Sequence, residues 1–144
     1  MALPFYMQYE VEYNNCKNCV DIIDQFKNVR RLMREPLNGL YYHAFDDSRK
    51  MFWCDKVTGL SDNFWLRALG WFSMALIDTM EIMPESLNDQ RAELNAIYRE
   101  LIDAMLPYQD EETGMWYQVV NRGGISPNYL ETSASAIFAY AIMK

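Results

Sequence analysis

From Phe64 to Met80 a helix carries apolar side chains on every side, since Trp65, Leu66, Leu69, Trp71, Phe72, Met74, Leu76 and Ile77 leave it no wet face. Such a helix is stable only when protein encloses it, so the rest of the chain has to wrap it. Tyr129–Met143 has the same character, rich in alanine at 134, 136, 139 and 141, and Met1–Tyr13 reads as part of a third. Two segments of another kind lie between these. From about Asn18 to Arg34, Ile22, Phe26, Val29 and Met33 share one stripe, with Asp21, Asp24, Lys27 and Arg31 elsewhere. From about Leu87 to Met105, Leu94, Ile97, Leu101 and Met105 face inward; Ser86 with Asp89 resembles a capping box, and Pro107 ends the segment. The order is buried, amphipathic, buried, amphipathic, buried.

The connections are unequal. Buried-to-amphipathic links are short, near Asn14-Asn15 and Pro84-Glu85. Amphipathic-to-buried links are long and carry aromatic, β-prone pieces: Leu40–Phe45 with Met51-Phe52-Trp53, and later Met115–Val120. All long loops therefore gather at one end, the N-terminal mouth of the buried helices. A repeat supports this: Gly39–His43 matches Gly114–Gln118 by residue type, and Ser61–Phe64 matches Ser126–Tyr129 at an offset of 65. A helical hairpin plus a decorated loop is the repeating unit, and each unit buries its inner helix only against neighbours, as in a solenoid or closed ring. The expected fold is all-α, an incomplete arc of about two and a half hairpins of an (α/α) barrel, with short β-hairpins in the loops at one end.

Composition narrows the function. With 13 basic and 20 acidic residues the net charge is −7, which disfavours nucleic-acid binding, because affinity for a polyphosphate comes from basic side chains releasing counterions. No apolar stretch supplies the roughly 20 lipid-facing positions of a membrane span. The start, Met1–Met7, has no basic n-region or small-residue cleavage site, so a cytoplasmic location is expected. Cys16 and Cys19 are spaced C-x-x-C, yet have no second pair and only His43 as a further soft ligand. They read as two thiols one helical turn apart, with no metal and no cofactor.

Chemistry-bearing residues collect at the mouth. Arg67, inside an otherwise apolar helix, must find an anion or a set of acceptors to offset its desolvation, and Trp71 lies four residues later on the same face. Together they form a floor for a ring-shaped anionic ligand. The competing reading of Arg67 is a buried ion pair with Glu131. Trp65 is roughly opposite Arg67 on a helical wheel, so only its place near the helix start brings it to the mouth. His43 is either a satisfied structural histidine or a ligand contact; Asp46 and Asp47 read as turn residues, Trp53 and Trp116 as loop packing, and Glu131 as a cap.

These residues form a recognisable set. Met1–Phe5, Gly39–Asp46, Gly59-Leu60-Ser61, Phe64–Trp71 and Asn128–Ala136 resemble, in this order and over the whole chain, the unsaturated rhamnogalacturonyl hydrolases of glycoside hydrolase family 105. The F-W-x-R-x-x-G-W block is the most specific part, and the unsaturated glucuronyl hydrolases of family 88 are the nearest group. The resemblance implies a six-hairpin (α/α) barrel and a substrate ending in a 4,5-unsaturated uronic acid, as pectin lyases leave it. It implies hydration chemistry: an aspartic acid protonates the enol-ether double bond, water adds at C5, and the hemiketal opens to release the next sugar. By motif position His43, Trp65, Arg67 and Trp71 are substrate-contacting. The family's catalytic aspartate lies a few residues before the segment matching Met1–Phe5. Residues 1–144 are accordingly expected to be a single-domain, C-terminal portion, inactive alone and self-associating through its exposed hairpin faces. The alternatives are a non-catalytic sugar-binding module and an α-helical interaction protein assembled through positions such as Leu69 and Ile137.

Overall fold

The computed structural model describes residues 2–144; Met1, the first residue of the expected N-terminal inner helix, lies outside the described residues. Five α-helices form among them: α1 Ala2–Tyr13, α2 Cys19–Met33, α3 Leu66–Ile82, α4 Asn88–Met105 and α5 Thr132–Met143. The apolar helix α3 is central, flanked by α1 on one side and α5 on the other. Behind this row, α2 packs on α1, α4 packs on α3, and the two amphipathic helices touch each other. Gly70 lets α5 approach α3 closely, because a Cβ there would stand 3.3 Å from Ile137. No helix among the described residues is long and apolar enough to cross a membrane.

The core has two parts that meet at Phe72. Near the loops, Leu66, Leu69, Leu101, Met105, Trp116, Ala134 and Phe138 pack together. Toward the other end, Met7, Ile22, Ile23, Phe26, Leu76 and Leu94 do so. Each fully buried Leu, Ile or Phe contributes about 1.5–3 kcal/mol of burial. Trp116 is a packing residue, as its sequence context suggests: it is 3% exposed and donates its indole N–H to the Met105 carbonyl at 2.9 Å.

Several expectations are corrected. The capping box at Ser86 does not form: a 3-10 turn over Glu85–Leu87 comes first, so Leu87 is the N-cap of α4 and has no side-chain cap bond. Pro107 sits inside a further 3-10 turn, Leu106–Tyr108. Cys16 and Cys19 are joined as a disulfide, with Cα atoms 5.0 Å apart, rather than free on a helical turn. The reason is local, since Cys16 lies before α2 at φ 57°, in a turn that the buried Glu10 carboxylate ties down through Asn14 and Asn18. The inner helices at the two flanks are not enclosed all round: Phe5 and Tyr13 of α1 and Met143 of α5 are mostly exposed.

The β-prone loop pieces form only single-residue bridges among the described residues: Arg34 with Tyr41, Phe45 with Leu60, Cys54 with Ser61, Trp65 with Val119, and Tyr117 with Leu130. Met51–Trp53 does not pair with Leu40–Phe45, because the Asp46 carboxylate gathers the amides of Ser48, Lys50 and Met51 into a turn. Three other turns share one design. In Glu35–Leu40, Asp55–Leu60 and Asp110–Met115 the acidic residue's amide donates to the carbonyl of the last residue, each at 2.8 Å. In each, the fifth residue is a glycine (Gly39, Gly59, Gly114) at φ 70–79°, a conformation that glycine adopts without a Cβ penalty. The Gly39 and Gly114 pair was visible as a repeat; the middle copy, with an acidic residue four before Gly59, is a third.

Candidate functional site

The two long loops meet at the N-terminal end of α3. Trp65 bridges Val119, Leu66 donates its amide to the Gln118 carbonyl at 2.9 Å, and Val120 donates to Phe64 at 3.0 Å. On the other side of the 118–119 segment, Gln118 donates to the Tyr129 carbonyl at 2.9 Å. These bonds place three short stretches side by side across the mouth, and they explain Trp65. It is the extended N-cap of α3 (φ −86°, ψ 117°), so helical-wheel geometry does not apply to it and its ring reaches the Arg67 side.

Arg67 meets both of its sequence readings at once. Its Nη2 donates to Glu131 Oε1 at 3.0 Å, so the ion pair exists, yet the arginine side chain is 41% exposed while that of Glu131 is 7% exposed. The guanidinium carbon stands 5.6 Å from the Trp65 ring centre, a cation–π contact worth about 0.5–1 kcal/mol at an exposed site. Arg67 Nε and Trp65 Nε1 are buried without a partner among the described residues. Each costs about 1–3 kcal/mol while unpaired, and Arg34 Nε, Tyr41 OH, Thr79 Oγ1 and Arg91 Nε are in the same state elsewhere in the molecule, so the orphans do not by themselves mark a site.

Glu131 is the fixed point of the arrangement. Burial pushes its carboxyl up, but hydrogen bonds from the Ser133 hydroxyl, the Ala134 amide and Arg67 outweigh that and hold it below the ordinary carboxylate value. The same side chain caps α5, accepting from Ala134 N at 2.6 Å, so one anion both starts a helix and orients the guanidinium.

The His43 ring stands edge-on to Trp65, with centroids 5.9 Å apart and planes at 87°. Its Nδ1 lies 2.9 Å from Ser61 Oγ and 3.3 Å from the Asn63 carbonyl. Ser61, itself 2% exposed, also accepts the Ala44 amide at 3.2 Å. His43, Trp65 and Arg67 are thus in direct succession. Trp71 lies one helical turn after Arg67 on α3 and is 40% exposed. Ser61 is the positioning residue that sequence reading passed over; its signal was a place in the same repeat that carries Asn63 and Phe64.

Asp46 behaves as the turn residue its sequence suggested. The Met51 amide and the Ser48 hydroxyl, with further amides, hold its carboxyl well below the usual carboxylate range. Among the described residues no group of three or more His, Cys, Asp or Glu side chains is placed to hold a metal ion.

Comparison with known proteins adds the following. The family model described as Glycosyl Hydrolase Family 88 matches residues 1–144. Protein Atu3128 of Agrobacterium fabrum is 37% identical over 144 residues, which is all of this chain and 60% of that protein. The unsaturated rhamnogalacturonyl hydrolase YesR of Bacillus subtilis is 28% identical over 123 residues, 85% of this chain and 32% of its own length. A family 105 glycoside hydrolase from C. acetobutylicum superimposes with a TM-score of 0.93 at 39% identity, covering 98% of this chain and 39% of that one. A possible family 105 member from Klebsiella pneumoniae gives 0.70 at 25% identity, over 90% of this chain and 32% of its own. The chain spans 60% of the length of the first of these relatives.

Proposed function

The chain belongs to Glycosyl Hydrolase Family 88, and on that premise we propose that its mouth binds the 4,5-unsaturated uronic acid at the non-reducing end of a pectin-derived oligosaccharide. The observation that carries this reading is the half-exposed Arg67, oriented by a buried anion and an indole while spending only Nη2 on Glu131. A guanidinium has five N–H donors in a planar fork, so most remain for the uronate carboxylate or its neighbouring hydroxyls. Glu131 cancels part of the local field, which makes directed hydrogen bonds the main source of selectivity. Trp65 and Trp71 offer faces for the sugar ring, and His43 a ring nitrogen for a hydroxyl.

The reaction in which this site takes part is hydration. A proton is delivered to the C4=C5 enol ether, the hydroxyl of water adds at C5, and the hemiketal opens with cleavage of the bond to the next sugar. A general acid for this step must keep its proton near neutral pH. Asp46 and Glu131 are both held ionised by hydrogen bonds and serve as structural anions. We assign the proton donor to an aspartic acid supplied from outside these 144 residues, and the five helices to an arc of an (α/α) ring.

Two measurements on the 144-residue chain test this. Calorimetry with an unsaturated uronyl disaccharide is expected to show saturable binding that Arg67→Ala abolishes. Loss of the unsaturated-sugar absorbance is expected not to occur. Absence of binding would sink the site assignment, and turnover would sink the assignment of the acid.

A further inference from the structure

Across the 118–119 segment from Trp65 lies a recess of about 320 Å³, lined by Gln118, Arg122, Ile125, Ser126, Asn128 and Tyr129 among others. That volume falls within the range of small-molecule sites, about 300–1,000 Å³. Its wall is braced from within. Asn128 accepts the Val119 amide at 3.0 Å and donates to the Val119 and Arg122 carbonyls at 2.9 and 2.7 Å, standing in for a strand neighbour. Arg122 follows in a 3-10 turn, Val120–Arg122, exposed and in no ion pair among the described residues. Tyr129 is 54% exposed. No carboxylate lines the recess, in contrast to Arg67 with its Glu131 partner.

We propose that this recess is a second uronate subsite, in which Arg122 takes the carboxylate of a further uronic acid on the leaving-group side of the oligosaccharide and the Tyr129 ring lies against that sugar. The inference rests on the uronide reading above. A single cation in a largely apolar recess suits a monoanionic sugar, whereas a phosphate asks for several converging donors. Placement agrees. Neighbouring stretches of extended chain lie about 4.8 Å apart, so the Tyr129 stretch, two away from Trp65, is about 10 Å from it. An oligosaccharide whose terminal unit is at Arg67 reaches that distance with a later residue, not with its first. On a chain of net charge −7, an unpaired arginine is also the kind of local site that retains an acidic glycan.

The test compares two ligands on the 144-residue chain by calorimetry at low salt: an unsaturated disaccharide whose second sugar is neutral, and an unsaturated tetrasaccharide whose third sugar is a uronic acid. The tetrasaccharide is expected to bind about three- to tenfold more tightly. Arg122→Gln, with folding checked by circular dichroism, is expected to remove that gain and leave disaccharide affinity unchanged, while Arg67→Ala abolishes disaccharide binding and weakens the tetrasaccharide. Equal affinity for the two sugars, or a gain that survives Arg122→Gln, would overturn the subsite while leaving the uronide reading intact. Failure of the wild-type chain to bind either sugar would overturn both.

Discussion

Most of the site's chemistry is set by what holds each side chain in place. Arg67 is held because Glu131 anchors one of its nitrogens and Trp65 supports its guanidinium. His43 is oriented by Ser61 and Asn63. The Asn63 carbonyl only accepts, so a hydrogen on Nδ1 satisfies it, whereas the closer Ser61 hydroxyl can serve either tautomer. The chain has one histidine, which makes this measurable without assignment. Nitrogen NMR of the neutral imidazole is expected to show the Nδ1–H form, and to show it still in Ser61→Ala, where the Asn63 carbonyl remains. A spectrum dominated by Nε2–H in the wild type would contradict this arrangement.

Among the elements, the N-terminus of α5 is the one whose stability depends on a charge. Glu131 caps it and has a folded-state pKa below its ordinary value of 4.5. A lowered carboxyl contributes stability that is present above the unfolded value and lost as the pH falls through the folded one. Urea unfolding between about pH 3 and 7 is therefore expected to show stability falling below about pH 4.5, with a shallower fall in Glu131→Gln. Asp46, Asp55, Asp110 and Glu100 are lowered by hydrogen bonds as well, so part of the acid slope persists in the variant. An identical slope in the two proteins would show that Glu131 does not carry its share. The three acidic–glycine turns have a related role at this scale, since each closes a loop with backbone bonds that no other residue type at the glycine position would permit without strain.

In the molecule as a whole, the two flanking helices expose apolar side chains. Phe5, Tyr9 and Tyr13 on α1 and Tyr140, Ile142 and Met143 on α5 leave apolar surface in water. Patches of this kind drive association. Analytical ultracentrifugation is expected to show self-association that Phe5→Asp with Tyr9→Glu reduces; a stable monomer at high concentration would refute it. Leu69 and Ile137 are the wrong places for such charges, contrary to the interaction-protein reading. Leu69 is 1% exposed in the core and Ile137 packs against Gly70, so charges there would unfold the chain before they reported an interface.

The five helices, their alternation and their ends to within a few residues were legible in the sequence, because hydrophobic period and all-round apolarity are local properties that burial alone reads out. His43, Trp65, Arg67 and Trp71 were legible as site candidates because charged or polar aromatic groups on enclosed segments demand partners. What those partners are was not. Whether Arg67 met Glu131, which residue held His43, and how segments as far apart in sequence as Trp65 and Val119 lay side by side all depend on contacts between distant segments. Only the packed chain brings those segments within hydrogen-bonding range, and there backbone groups such as the Asn63 carbonyl and the Gln118 amide, which no residue type reveals, decide the geometry.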